Sequence, residues 1–373
     1  MPDPRSGAVT AVGEATSLAD RKRRAGQRLI VGFEKAFVDD DLRRLVREIR
    51  PAGFILFARN VEDPAQVREL NRELASLVDP HDPALICVDQ EGGRVQRVRD
   101  PATAWPPMRV VGQAAEHTAA VSRAMAVELR AMGFQLNLAP VADVDSNPAN
   151  PVIGDRSFGR DPAVAAAHVA QFIRAHQAEG LIACAKHFPG HGDTHLDSHL
   201  ALPSVEIELP DLLRRELVPF AAAVKAGVGT IMSAHVVFPA LDEDWPATLS
   251  ATVIPRLLRK ELGFQGVVLS DDLEMKAVHG RWDTDTLVRR ATLATVDVLL
   301  CCRDPGLQID AYRALVQSQE DDAAQERLTK DAVRRVDALR ERFLLGAPPQ
   351  PELAVVGGMD HRVLAETVRR MGA

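Results

Sequence analysis

Eight short apolar runs between residues 28 and 302 constrain the fold of this chain more than any other feature. They read RLIVGF (28–33), GFILFA (53–58), ALICVD (84–89), FQLNLAP (134–140), LIACAKH (181–187), GTIMSAH (229–235), GVVLSDD (266–272) and VDVLLCC (296–302). Near-continuous Val, Ile and Leu, without polar alternation, fits parallel strands covered on both faces. Between the runs lie segments with apolar residues at three- and four-residue spacing, such as 63–78, 161–180 and 209–227. These open on Asp-Pro or Leu-Pro-Asp, which supplies a cap and a pre-set first turn, and two close on Gly180 and Gly227, so they predict helices. Eight strand–helix units in 373 residues predict an α/β fold, a single (β/α)8 TIM-type barrel, with a doubly wound sheet as the alternative. The barrel is expected over residues 25–345, with a flexible extension at 1–24 and a tail at 346–373.

Barrel enzymes carry their chemistry at the carboxyl ends of the strands, and here those ends are unusually polar. They finish in Asp89-Gln90-Glu91, Lys186-His187, His235 and Ser270-Asp271-Asp272, while the stretch after the fourth run carries Asp143, Asp145 and Arg156. Convergence of charge from five strands is the pattern of a site. The net charge of −7 excludes a general nucleic-acid or membrane surface, and no run is long enough for a signal core or a membrane span. A cytoplasmic protein is therefore expected, and the RKRR cluster near its start reads as a solvated helix face. Cys87, Cys184, Cys301 and Cys302 lie in apolar runs without metal-ligand spacing and read as small buried hydrophobes.

The densest polar segment is AKHFPGHGDTHLDSH (185–199), with His187, His191, His195 and His199 interleaved with Asp193 and Asp197. A divalent metal is one reading, but a helical His-Glu-x-x-His is missing and Lys186 would set a cation beside the metal, so none is expected. The other reading is proton transfer. About twenty residues separate the fifth strand from the next helix, and loops that long in compact domains are usually functional. Asp197 and His199 stand two apart, so the carboxylate can reach the imidazole, fix its tautomer and raise its pKa; an Asx-turn with a solvent histidine fits the same letters. In VVLSDDLEM, either Asp271 or Asp272 is a credible nucleophile or general base, the other a helix cap. DQEGGRVQR brings Asp89 and Glu91 to a strand end, then a glycine turn, then Arg94 and Arg97. No phosphate-cradling glycine loop follows any strand, whereas carboxylates beside an arginine fork suit a polyhydroxylated ligand.

Taken together, DQEGGRVQR, IGDRSFGRDP, AKHFPGHGDTHLDSH and SDDLEM, in this order and at barrel-like spacing, resemble the single-domain β-N-acetylglucosaminidases of glycoside hydrolase family 3, the NagZ type. The likeness runs from about residue 25 to the last strand near residue 302. It implies that Asp271 attacks the anomeric carbon, that His199 paired with Asp197 serves as general acid and then base, and that Asp89, Arg97, Arg156, Lys186, His187 and His235 bind the sugar. It further implies retention of configuration, no metal or organic cofactor, and a terminal β-linked N-acetylglucosamine as substrate, carried on a muropeptide fragment of peptidoglycan during cell-wall recycling. A monomer with a small carbohydrate as its partner is expected. Transfer of the sugar to phosphate is a rival activity, and a catalytically silent sugar-binding barrel is a rival of another class.

Overall fold

The computed structural model describes residues 16–194 and 202–372. Eight strands close a parallel barrel: β1 (Leu29–Val31), β2 (Gly53–Leu56), β3 (Leu85–Val88), β4 (Leu136–Asn137), β5 (Ile182–Phe188), β6 (Thr230–Ser233), β7 (Val267–Asp272) and β8 (Val298–Cys301). Each pairs with its sequence neighbours, and β1 closes the ring on β8 through Leu29–Leu299, Ile30–Leu300 and Val31–Cys301. The eight apolar runs are these eight strands, and the barrel, not the doubly wound sheet, is the fold.

Alternate strand residues serve two cores. Ile30, Ile55, Leu85, Cys87, Leu136, Ile182, Cys184, Met232, Leu269, Val298 and Leu300 fill the interior, which Val336, Leu339 and Phe343 of the helix Ala323–Phe343 plug from below. Leu29, Val31, Phe54, Leu56, Ile86 and Val88 face the surrounding helices. Burial on both faces is why polar alternation is missing from the runs. The four cysteines are free and buried, as expected, and burial pushes the Cys184 thiol up to about 12.

The helices begin where the Asp-Pro signals stand. Asp63 caps Pro64–Ser76 by accepting from the amides of Ala65 and Gln66, and Asp161 caps Pro162–Ala178 through Ala163 and Val164. The segment expected as one helix over 209–227 is instead two, Leu209–Arg214 and Leu217–Lys225. Pro219 explains the break: it has no N–H to donate, and its ring collides with the carbonyl four residues earlier, that of Arg215. After the barrel, the helix Met359–Met371 packs on the helices Met108–Gln113 and Thr118–Ala131. Among the described residues, no helix is long and apolar enough to cross a membrane.

Candidate active site

The upper ends of β2, β3, β5, β7 and β8 enclose a cavity of about 170 Å³ whose polar lining is Asp89, Glu91, Arg97, Arg156, Lys186, His187, His191, Asp271 and Asp272. Phe57, Leu138, Met232, Met275 and Cys302 supply apolar wall. That volume is the liquid share of five or six waters, roughly one sugar's worth of space rather than a chain's.

One wall is built on the DQEGG segment. Chain after β3 folds into a hairpin, Gln90–Gly92 against Val95–Gln96, turned by Gly92 and Gly93 at φ 97° and 58°, a region that costs any residue with a Cβ. Gln90 holds this hairpin to its neighbours: its amide donates to Asn137 Oδ1 of β4, and its side-chain oxygen accepts from the amides of Arg97 and Val98. Asp89 and Glu91, two apart on extended chain, therefore project to the same side. Lys186 Nζ, buried at the end of β5, lies 2.7 Å from Asp89 Oδ1 and 2.7 Å from Glu91 Oε1. Arg156, on a turn after β4, grips Glu91 with two bonds of 2.8 and 2.9 Å, and Arg97 Nη2 reaches Asp89 at 3.2 Å.

Burial alone would push both carboxyls up, but Lys186 and Arg97 hold Asp89, and Arg156 and Lys186 hold Glu91, below the usual carboxylate range. Lys186 is likewise penalised by burial, yet its two carboxylates keep its pKa above the ordinary lysine value. Two carboxylates thus stay charged beside Lys186 and Arg156 in one wall, and Arg97 Nε has no protein partner among the described residues. Such a wall both donates to and accepts from sugar hydroxyls.

The opposite wall carries Asp271 at the end of β7. Its carboxylate accepts the Asp272 amide at 2.8 Å. Burial works against its charge, but His187, His235, that amide and Lys186 outweigh burial and hold it below the ordinary aspartate value. An ionised carboxylate with one hydrogen bond among the described residues is a competent nucleophile. Asp272 differs: burial and the charges of Glu274 and Asp271 push it up to about 7, while its Oδ1 accepts from the amides of Glu274 and Cys302.

The histidine loop enters between the walls. Asp143 sits behind it and gathers its stem, accepting from His187 Nδ1 at 2.8 Å and from the amides of His187 and His191. A carboxylate partner fixes the proton of His187 on Nδ1. Burial and His187 press His191 down to about 4, so it is a neutral imidazole near pH 7. Asn150 fastens the next turn through the carbonyls of His191 and Gly192. His199 and Asp197, named from the sequence as proton donor and its partner, lie outside the described residues.

Of the residues expected to bind sugar, Asp89, Arg97, Arg156, Lys186 and His187 are brought together with Asp271 around one cavity. His235 is not on that lining. It is fully buried after β6, its ring nitrogens 3.0 Å from Thr248 Oγ1 and 3.1 Å from the Asp272 carbonyl oxygen, near enough to Asp271 to favour its charge. Glu91, Asp143 and His191 went unassigned from sequence, although the two-residue spacing of Asp89 and Glu91 already placed both on one side. Among the described residues, no group of three or more His, Cys, Asp or Glu side chains is arranged to hold a metal ion.

The model of the glycosyl hydrolase family 3 N-terminal domain matches residues 23–339. The chain belongs to glycoside hydrolase family 3. A β-hexosaminidase of Nitrosomonas eutropha is 40% identical over 261 residues, 68% of this chain and 74% of that protein. Among solved structures, a family 3 β-N-acetylglucosaminidase from Paenibacillus sp. FPU-7 superposes with a TM-score of 0.88 at 36% identity, covering 96% of this chain and 69% of that one. NagZ from Neisseria gonorrhoeae, solved native and with N-trifluoroacetyl-D-glucosamine, has a TM-score of 0.77 at 30% identity, covering 93% of this chain and 98% of that one. This family 3 protein is accordingly a glycoside hydrolase, a β-N-acetylhexosaminidase with a small carbohydrate as substrate.

Proposed function

We propose that this family 3 hydrolase is a retaining exo-β-N-acetylglucosaminidase that removes the terminal sugar from peptidoglycan-derived muropeptides in the cytoplasm. The observation that carries the reading is Asp271, an ionised carboxylate facing a charged wall across a cavity of one-sugar scale. In this mechanism Asp89, Arg97, Arg156, Lys186 and His187 hold the hydroxyls of the ring. Asp271 attacks the anomeric carbon while His199, oriented by Asp197, gives its proton to the departing glycosidic oxygen. A covalent glycosyl-enzyme forms and the aglycone leaves as an alcohol. Water then attacks the same carbon, His199 takes its proton, and Asp271 is released as carboxylate. The two inversions return the β configuration.

The gonorrhoeal NagZ, with its glucosamine-derived ligand, supports the sugar. The test is the anomer released first. Followed by NMR, hydrolysis of 4-nitrophenyl β-N-acetylglucosaminide and of a muropeptide should give the β sugar before mutarotation; first release of the α sugar, or no cleavage of the muropeptide, overturns the reading. Adding phosphate should yield no N-acetylglucosamine 1-phosphate; its accumulation would favour the phosphorylase instead.

A further inference from the structure

The broken helix after the histidine loop buries a carboxyl that none of the steps above uses. Because Pro219 prevents the helix from running through Arg215, Glu216 occupies the position just before Leu217. There its side chain does not cap the helix but turns inward, 1% exposed. Oε1 accepts from Ser146 Oγ at 3.2 Å, on the loop after β4, and from Arg215 Nε at 2.7 Å. The same Arg215 extends Nη2 to Asp193 of the histidine loop at 2.5 Å. Oε2 has no hydrogen-bond partner among the described residues and packs on Gly190, where an added Cβ would meet Glu216 Cβ at 2.8 Å and Oε2 at 2.9 Å. Gly190 and Asp193 flank His191, so one carboxyl touches both sides of the stem from which the loop departs.

We propose that Glu216 is a positioning residue of the hydrolase: through Gly190 and Arg215 it fixes the take-off of the histidine loop, and thereby the aim of the proton donor the loop carries. The inference rests on the reading that this loop supplies the acid. A carboxyl serving only the fold would be expected to find partners for both oxygens, as buried polar groups generally do. Glu216 instead keeps one oxygen against a glycine of the loop, so its position and the loop's are read from each other. Burial pushes its pKa up to about 7 against the pull of Arg215, with Asp143 pressing in the same direction as burial. Asp193 faces it only across Arg215.

The experiment separates proton donation from general damage by varying the leaving group. Phenol needs a proton as it departs, whereas 2,4-dinitrophenol leaves without one, and kcat/KM reports the bond-breaking step for both. Glu216→Gln should lower kcat/KM on phenyl β-N-acetylglucosaminide by about tenfold or more and on the dinitrophenyl analogue by less than about threefold. Gly190→Ala displaces the same stem from the loop side, both by contact with Glu216 and by backbone strain at φ 141°, and should show the same pattern, which keeps the proposal testable where Glu216→Gln folds badly. His199→Ala is the reference. Should His199→Ala spare the dinitrophenyl substrate while Glu216→Gln and Gly190→Ala slow both substrates alike, or neither, Glu216 does not position the donor and the proposed function stands. A His199→Ala variant slowed equally on both substrates removes the loop-acid reading, and the role of Glu216 falls with it.

Discussion

Both ends of the barrel bury arginines and aspartates, yet only one end is a site. Below, Arg28 is fully buried just before β1 and aims its donors at Thr292 and Thr329 (2.9 Å each) and at the carbonyls of Val296 (2.7 Å) and Asp297 (3.1 Å). Asp297, just before β8, receives Arg259 at 2.6 Å, Arg335 at 2.8 Å and the Val268 amide at 2.7 Å. Above, Lys186, Arg156 and Arg97 also meet carboxylates, but around open space, and the Asp271 carboxylate accepts one hydrogen bond among the described residues. Burial of charge is common to the two ends. What distinguishes them is whether the charged groups meet one another in packed protein or face a cavity, since a guanidinium nitrogen without a partner among the described residues occurs at both ends, Arg259 Nε below and Arg97 Nε above.

The largest expected effect breaks the upper end alone. Asp271→Asn keeps shape and removes the nucleophile, so turnover should fall by about three orders of magnitude or more. Thermal unfolding should change far less than turnover, since asparagine keeps the oxygen that accepts the Asp272 amide. Initial rates and a melting curve on the same preparation check both halves, and turnover within tenfold of the parent would deny Asp271 its role.

Arg28→Met should do the reverse. Removing the guanidinium takes a donor from two hydroxyls and two carbonyls at the foot of the barrel, a loss of about 3 kcal/mol in folding free energy. Urea unfolding measures it. The fraction that remains folded should keep its kcat/KM, because every partner of Arg28 lies away from the cavity lining.

Glu91→Gln sharpens the contrast, since this side chain belongs to both kinds of network. It loses the charge that faces Arg156 and Lys186 but keeps its shape, and roughly a ten- to hundredfold fall in kcat/KM is expected, with a smaller loss of stability than for Arg28→Met. A variant that unfolds yet catalyses normally when folded would make Glu91 a structural residue.

The two ends also differ in how far the sequence disclosed them. The strands were legible because burial on both faces leaves uninterrupted apolar runs, and the Asp-Pro starts were legible because the cap and the fixed φ act locally. Facing was not. His235 and His187 both end apolar runs, and with neither face of a strand in water no alternation says that His187 lines the cavity and His235 does not. Asp143 was visible as an acidic residue after the fourth run, but its role depends on a loop folding back over it from more than forty residues away. The break at Arg215–Glu216 was written in Pro219, and the apolar spacing across 209–227 masked it. The lower network was hidden altogether, because Arg28 and Asp297 read as polar brackets of strands until the helix Ala323–Phe343 brings Thr329 and Arg335 beneath them.

The smallest expected effect concerns pH, and it tests whether an imperfectly satisfied charge behaves differently from a saturated one. Glu216 has its pKa raised to about 7 by burial, so its folded form holds a proton that the unfolded chain has already lost above pH 5 or so. A carboxyl raised in this way stabilises the fold at acid pH and loses that contribution as pH rises through the folded pKa. Between pH 6 and pH 8 the loss from Glu216 is about 1.4 kcal/mol, a few degrees in melting temperature at most. Asp272, raised in the same direction, adds to the slope. Glu91, Asp89, Asp143 and Asp271 are depressed instead, so what they contribute is complete above the ordinary carboxylate range and is lost only as pH falls below it. Buried His176 and His191, lowered to about 3 and 4, work the other way over the same range, so the carboxyl is read from a difference: the melting temperature of the parent relative to that of Glu216→Gln, which carries no titrating group there, should fall from pH 6 to pH 8. An equal slope in the parent and the variant would mean that Glu216 is ionised throughout.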